Sequence, residues 1–120
     1  MFKYVEENSC YSWETDEMII STYDAPDAEL ENYARIIKEA YTGAIEAIAQ
    51  YICAEKEFIE CYGRYSPKKT MKILKNNMTI PWIFLKKNSI GTIAYCDEDY
   101  VIEFEFEGCF TNFKKFQICS

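Results

Sequence analysis

The chain has 120 residues, of which 49% are hydrophobic and 17% aromatic. This composition is sufficient for one hydrophobic core without stabilising cross-links, and it excludes a disordered chain. No segment reaches the roughly 18 to 20 continuous apolar residues of a membrane helix, so we expect no membrane contact. The net charge of −7 divides into −10 for residues 1–63 and +3 for residues 64–120, a distribution that disfavours nucleic acid and favours a basic protein partner.

The first predicted element is a hairpin near the N-terminus. Tyr11-Ser12-Trp13 is an aromatic segment, residues 14–17 form a charged turn, and residues 18–23 are rich in β-branched and aromatic side chains. This pattern predicts two strands that pair around the turn.

A long helix is predicted from Asp27 to about Tyr62. Asp24 is placed as its N-cap and Pro26 in its first turn, where proline is tolerated. Gly43 lowers helix stability by about 1 kcal/mol and predicts a kink or a division into two helices, of which we favour the kink. Apolar residues recur at the three- and four-residue steps of a helix with one buried face: Leu30, Tyr33, Ala34, Ile37, Tyr41, Ile45, Ile48, Ala49, Ile52, Phe58 and Ile59.

A short helix and a run of strands follow. Gly63 is a suitable stop for the long helix, and Ser66 and Pro67 are a suitable cap and first residue for the short one. Pro81 removes one ladder donor, so the first strand of the run either lies at a sheet edge or begins late, near Trp82. Four antiparallel strands are predicted: Met78–Leu85, Ile90–Cys96, Tyr100–Glu107 and Phe113–Cys119.

The order of elements predicts a single α+β domain over residues 1–120. Its antiparallel sheet combines the N-terminal hairpin with a C-terminal four-stranded meander and packs against the long, kinked helix and the short helix. In the third strand of the meander, alternation directs one set of side chains to the core and the other to water: Ile102, Phe104 and Phe106 inward, and Glu103, Glu105 and Glu107 outward.

The six cysteines bear on the cellular compartment. They are scattered, no CxxC pair occurs, and the segment Met1 to Cys10 is charged where a secretory signal would be apolar. We therefore predict a cytoplasmic protein with reduced, mostly buried thiols. Because the chain also has no histidine, we predict no zinc site or other metal site.

Catalytic residue types are scarce. Histidine is the most frequent acid-base group and the usual activator of a serine or cysteine nucleophile, and the chain has none. Its four glycines are isolated, so no phosphate-binding loop is present. A carboxylate pair of the glycosidase kind requires a substrate cleft, of which acids spread over helix faces give little sign. We expect no enzyme and no cofactor.

Acidic surfaces are the candidate binding sites. Glu103, Glu105 and Glu107 form a stripe on one strand, which is either a solvated face, neutralised by Lys114 and Lys115 of the next strand, or a contact surface for a basic partner. The second candidate surface consists of acids on the long helix: Glu39, Glu46 and Glu57.

Three other features have ordinary interpretations. Asp97-Glu98-Asp99 lacks the spaced ligands and glycine of a calcium loop and is predicted to be a hairpin turn. Trp13 and Trp82 are predicted core residues. A basic cluster at the short helix is predicted to be solvated or paired with the long helix, since it has no adjacent stacking platform for nucleic acid: Arg64, Lys68, Lys69, Lys72 and Lys75.

Five parts of the chain follow one another in an order that can be compared with known families. They are Tyr11-Ser12-Trp13-Glu14, a strand ending in Tyr23-Asp24, the helix through Ala47 to Ile52, Ser66-Pro67-Lys68-Lys69, and the closing strands Val101 to Ile118. In this pattern and spacing, over roughly residues 10–118, the chain resembles the bacterial domain-of-unknown-function 2262 family. The family often has a histidine in the strand that matches Tyr100 to Phe104; this chain has none there, so no role is carried over from it.

In size and composition the chain also resembles the immunity proteins that bacteria encode beside polymorphic or contact-dependent toxins. That resemblance implies a basic toxin domain as the partner, because opposite charge speeds association and adds specificity. The leading expectation is an immunity or antitoxin protein that uses one of the two acidic surfaces. The alternatives are an interaction module without a toxin partner, such as a homodimer through a strand edge, and a small-molecule sensor with an enclosed apolar pocket.

Overall fold

One seven-stranded sheet forms the centre of the computed structural model, which describes residues 1–120. The strands are β1 (Lys3–Val5), β2 (Cys10–Glu14), β3 (Ile19–Thr22), β4 (Trp82–Lys86), β5 (Ile90–Cys96), β6 (Val101–Glu107) and β7 (Thr111–Cys119). A 3-10 turn (Glu6–Asn8) joins β1 to β2, and three helices lie between β3 and β4 in the chain: α1 (Ala28–Ala54), α2 (Lys56–Tyr62) and α3 (Pro67–Asn76). The fold is therefore α+β, as predicted.

The strands follow chain order across the sheet, and every neighbouring pair is antiparallel except β3 and β4. The predicted hairpin is β2 with β3, and the predicted meander is β4 to β7. The wholly antiparallel arrangement is wrong, because β3 and β4 pair in parallel, with Ile20 opposite Ile83. The helical crossover between them makes this possible. β1 is not among the predicted strands, because three residues are too few to show alternation.

Helix α1 is capped by Asp27, so the predicted cap at Asp24 is wrong. The Asp27 backbone is extended, and its Oδ1 accepts a hydrogen bond from the Leu30 amide at 2.8 Å. Pro26 precedes the cap and lies outside the first turn. Since the residue before a proline avoids the helical region, Pro26 disfavours a helical start at Ala25.

The long helical segment divides at Glu55, and the predicted kink or division at Gly43 is wrong as to its place. α1 passes through Gly43 without a break, whereas Glu55 is extended, with φ −79° and ψ 133°, and separates α1 from α2. Tyr41 and Ile45 on either side of Gly43 are both buried in the core. Burial of each such side chain contributes about 1.5–3 kcal/mol, which exceeds the roughly 1 kcal/mol that glycine costs a helix.

The stop of α2 and the start of α3 are confirmed. Gly63 has φ 111°, and its amide donates to the Ile59 carbonyl at 2.9 Å. The Ser66 hydroxyl accepts a hydrogen bond from the Lys69 amide at 3.1 Å, and Pro67 is the first residue of α3. No helix of the protein is both long and apolar enough to cross a membrane.

The core lies between the helices and one face of the sheet. Residues from all three helices join the strands in one cluster, in which Ile37, Ile48 and Phe58 are fully buried. The predicted alternation of β6 is confirmed: Ile102, Phe104 and Phe106 lie in the core.

β4 begins at Trp82, which confirms the second of the two alternatives considered for Pro81. The strand lies inside the sheet, between β3 and β5. Pro81 itself stands just before the ladder, and its carbonyl accepts a hydrogen bond from the Ile19 amide at 3.0 Å. The missing donor therefore falls outside the strand.

β7 is an edge strand with an irregular ladder. Two additional β7 residues, Asn112 and Lys115, have positive φ of 51° and 58° and interrupt the pairing with β6. Such bulges twist an edge and make it a poor template for a further strand. The pairs on either side of the bulges are Glu103 with Gln117, Glu105 with Lys114, and Glu107 with Thr111.

The cysteines are free thiols, and the prediction that most are buried is wrong. Only Cys10 is fully buried, Cys53 and Cys96 are half-buried, and the others are exposed: Cys61, Cys109 and Cys119. The reason is local, because the exposed cysteines lie on the outer side of a short helix, in the turn before β7 and at the end of an edge strand.

Candidate functional site

The sheet has one face covered by helices and one face that carries none. On the covered face, Ile20, Ile83 and Ile93 lie side by side in the core. Because side chains alternate along a strand, the neighbouring residues point to the opposite, open face. Two rows cross this open face from β3 to β7: Ile19, Trp82, Ala94, Glu103 and Gln117, then Ser21, Phe84, Thr92, Glu105 and Lys114.

Three aromatic side chains line one part of the open face. The ring centroids of Tyr23 and Phe84 are 4.6 Å apart, and those of Phe84 and Trp82 are 6.4 Å apart. Tyr23 is 70% exposed and Trp82 38% exposed. The prediction that Trp82 is a core residue is therefore wrong, whereas Trp13 packs against the core on the covered face. Exposed aromatic clusters of this kind are enriched at binding surfaces.

Buried hydroxyls hold Trp82 in place. Its Nε1 donates a hydrogen bond to the Ser21 hydroxyl at 2.7 Å, and the Ser21 and Ser12 hydroxyls are 2.7 Å apart. Cys10 Sγ lies 3.6 Å from the Ser12 hydroxyl and is the last member of this series of hydrogen-bonded groups. Because Ser21 is on β3, the indole leans over β3 and leaves β5 uncovered. The ring is thereby fixed before any partner arrives, which lowers the entropy lost on binding.

The predicted glutamate stripe lies on the same open face, on β6. Lys114 Nζ is 2.8 Å from Glu107 Oε1, and Lys115 Nζ is 3.3 Å from Glu105 Oε2. The hydrogen bond from Lys114 holds the pKa of Glu107 below its ordinary value, and Glu107 in turn raises the pKa of Lys114. Neutralisation by the next strand, one of the predicted alternatives, therefore applies to two of the three glutamates.

Glu103 is the glutamate of the stripe without a cation. Its Oε1 accepts a hydrogen bond from Gln117 Nε2 at 3.1 Å, and no lysine or arginine lies within ion-pair distance. It stands in the same row as Trp82, with Ala94 between them.

A shallow trough of about 450 Å³ runs between the aromatic residues and Glu103. One wall is formed by Trp82 and Phe84 on β4, and the other by Glu103 on β6. Its floor is β5, whose open-face side chains are small: Thr92, Ala94 and Cys96. Neighbouring strands are about 4.8 Å apart, so the two walls stand roughly 10 Å apart at the backbone. We call this depression the open-face trough.

The predicted helix acids do not join the open-face trough. Glu39 and Glu46 are exposed on α1, which packs on the other face of the sheet. Glu57 lies in α2, and its Oε2 accepts a hydrogen bond from the Ile118 amide of β7 at 3.2 Å. The six predicted contact residues therefore fall on two separate sides of the molecule.

The turn Asp97-Glu98-Asp99 uses its first carboxylate internally. Asp97 accepts hydrogen bonds from the Tyr62 hydroxyl at 2.6 Å and from the Tyr100 amide at 2.7 Å. Burial opposes ionisation of Asp97, but these hydrogen bonds outweigh it, so its pKa lies below the ordinary value. No three cysteine, aspartate or glutamate side chains of the protein are placed together so that they could hold a metal ion.

Buried tyrosine hydroxyls have structural partners. The hydroxyl groups of Tyr41 and Tyr95 are 2.6 Å apart in the core, and the Tyr33 hydroxyl donates to the Gly108 carbonyl at 2.7 Å. Burial raises the pKa of Tyr41 to about 12 and that of Tyr95 well above its ordinary value. These hydroxyl groups stay protonated at neutral pH. Their hydrogen bonds join α1 to β5 and to the turn that follows β6.

The five main depressions of the surface, with volumes from about 130 to 510 Å³, are open to solvent. None of the five has the enclosed apolar shape that the small-molecule alternative requires. Comparison of the chain with protein-family models, with curated proteins and with solved structures gives no match.

Sequence reasoning missed the aromatic wall, although the segment after Pro81 carries a usable signal. In Trp82-Ile83-Phe84-Leu85 aromatic and aliphatic residues alternate. Ile83 and Leu85 face the core and Trp82 and Phe84 the open face, which the period of two predicts once the strand start is known.

Proposed function

We propose that this protein is a non-catalytic, cytoplasmic protein-binding domain that neutralises a cognate bacterial toxin domain by direct contact. The observation that carries the proposal is the open-face trough, in which pre-positioned aromatic side chains lie beside a carboxylate. Interfaces of high affinity place aromatic residues at the centre and polar residues around them. Tyr23, Trp82 and Phe84 are the central residues, and Glu103 of β6 forms the acidic side.

Charge supports a basic partner. The chain carries a net charge of −7, and Glu103 has no cation of its own. A basic protein is attracted to such a molecule at long range, whereas nucleic acid is repelled. The attraction suits an immunity protein, because opposite charge speeds the capture of a basic toxin and adds specificity.

The strand edges disfavour the homodimer alternative in its predicted form. β1 has only three residues, and β7 carries two bulges. In addition, the Glu57 carboxylate already occupies the Ile118 amide at the β7 edge. Short, bulged or covered edges resist pairing with another chain. An interaction module that binds a non-toxin protein through the open-face trough is the remaining alternative.

The proposal is tested by co-expression with the product of the adjacent upstream gene. We expect that product to arrest growth alone and to be neutralised and co-purified by this protein. Trp82→Ala should weaken binding by about 2 kcal/mol or more, roughly thirtyfold, because it removes a central aromatic residue. Isothermal titration calorimetry measures the loss.

Tyr65→Ala is the matched control, since Tyr65 is 37% exposed, close to the 38% of Trp82, but lies outside the open-face trough. Binding and protection should be unchanged in this variant. A neighbour that is harmless, or one that is not bound, refutes the toxin assignment. Equal protection by wild type and Trp82→Ala refutes the assignment of the contact surface.

A further inference from the structure

The open-face trough is asymmetric in its chemistry. The β4 wall is formed by the aromatic side chains of Trp82 and Phe84, while the β6 wall carries the Glu103 side chain. The small side chains of Thr92 and Ala94 leave the space between the walls unfilled. A group that satisfies both walls must be flat and apolar on one side and cationic on the other.

Charge also varies along the open-face trough. Lys86 lines one end, in the row that contains Glu107 and leads on to the Lys114 ion pair. Glu103 lies two rows away, at the end where Trp82 stands. A cation entering the trough is therefore repelled from the Lys86 end and drawn to the Glu103 end.

We propose that the open-face trough receives an arginine side chain of the partner, stacked on Trp82 and paired with Glu103. This inference rests on the proposed protein-binding function and specifies its partner. Arginine fits better than lysine, because the guanidinium group is planar, stacks on aromatic rings and offers a fork of donors to a carboxylate. Gln117 donates a hydrogen bond to one oxygen of Glu103 and orients the carboxylate, and each of its two oxygens can still accept a hydrogen bond from a guanidinium group.

A small probe tests the inference without the natural partner. N-acetyl-arginine-N-methylamide is titrated into the 15N-labelled protein and followed by NMR. We expect the Trp82 indole Nε1–H signal to shift with a dissociation constant on the order of 1 mM, as befits one contact residue. The Trp13 indole is an internal control, because it packs on the covered face and should not shift.

Two comparisons isolate the charge. The citrulline analogue has the same shape without the charge, and we expect it to cause no saturable shift. Glu103→Gln should weaken arginine binding about five- to tenfold, since it removes a charge-assisted contact. Glu46→Gln, which removes an equal charge on the outer side of α1, should leave the affinity unchanged.

Several outcomes overturn the inference. Equal binding of the citrulline analogue, an unchanged affinity in Glu103→Gln, or absence of a Trp82 shift each does so. A wild-type dimer that becomes monomeric in Trp82→Ala also overturns it, because a second copy then covers the open-face trough. If Trp82→Ala abolishes partner capture while arginine fails to bind, the proposed function stands and this inference falls. If arginine binds but no toxin partner is found, this inference stands and the proposed function falls.

Discussion

Replacing Gly91 by alanine should destabilise the protein, and the structure gives the reason. A Cβ atom at Gly91 would lie 2.3 Å from Cζ and 2.8 Å from Cε1 and Cε2 of Phe106. Ordinary carbon contacts are about 3.5–4.0 Å, so the ring would have to retreat by more than about 1 Å. Phe106 is fully buried, and the centroid of its ring lies 4.7 Å from that of Phe110. The Phe106 ring therefore has no empty space into which it could move.

The magnitude follows from two opposing terms. Overpacking of a well-filled core costs about 1–3 kcal/mol. Alanine recovers about 0.5–1 kcal/mol relative to glycine in a strand, because glycine loses more conformational freedom on folding. We expect Gly91→Ala to lower the free energy of unfolding by about 1–2 kcal/mol, which moves the urea midpoint down by about 0.5–1 M.

The same substitution at Gly43 is the matched control. Gly43 is exposed inside α1, and its Cβ would meet nothing within 4 Å. Gly43→Ala should therefore raise the free energy of unfolding by about 0.5–1 kcal/mol. Urea denaturation followed by circular dichroism measures both variants. In a Phe106→Leu background, where the ring is gone, Gly91→Ala should lose its penalty. A Gly91→Ala protein as stable as wild type would refute the packing argument.

Two further predictions concern buried and turn hydroxyls. Tyr95→Phe should reduce the free energy of unfolding by about 1–3 kcal/mol, because the buried Tyr41 hydroxyl loses its partner at 2.6 Å. Urea denaturation of the single and double variants checks this prediction. A Tyr41→Phe/Tyr95→Phe double variant that is no less stable than Tyr41→Phe alone would support it, and additive losses of stability would contradict it. Tyr62→Phe should raise the pKa of Asp97, whose folded value lies below the ordinary 3.8 partly through Tyr62. A lowered folded pKa contributes stability above the unfolded pKa, and that contribution disappears as pH falls through the folded value. Carboxyl 13C NMR measures the pKa of Asp97 in Tyr62→Phe, and acid unfolding measures the accompanying change in stability. An unchanged Asp97 titration would count against the hydrogen bond.

Local signals were sufficient for most single elements. The Ser66 cap, the Gly63 stop and the late start at Trp82 depend on residues within a few positions of each other, and each lies where the sequence predicts. The position of the helix break was not predictable in this way. Gly43 is unfavourable in isolation, but the buried residues on either side keep α1 intact, and the break falls at Glu55.

The candidate site was predictable only in part. The alternation of β6 placed Glu103, Glu105 and Glu107 on the solvent side, and the structure agrees. It could not reveal that Glu103 alone lacks a cation, because this depends on the bulge that sets the position of Lys115. It also could not separate these glutamates from the acids of α1, since the faces of a sheet are assigned only when the helices pack.

By itself, the sequence determined the fold class, the periodicity of each strand and the acidic balance, because these depend on composition and on contacts between near neighbours. Only the tertiary structure decided that β3 and β4 pair in parallel and join two sets of strands into one sheet. That pairing sets Trp82 of β4 beside Ser21 of β3. The antiparallel pairing of β4, β5 and β6 places Glu103 on the other side of β5. The open-face trough thus combines the consecutive strands β4 to β6 with Tyr23, which follows β3 far earlier in the chain. Local patterns can predict the meander, but the proximity of Tyr23 and Ser21 to Trp82 is a property of the packed sheet.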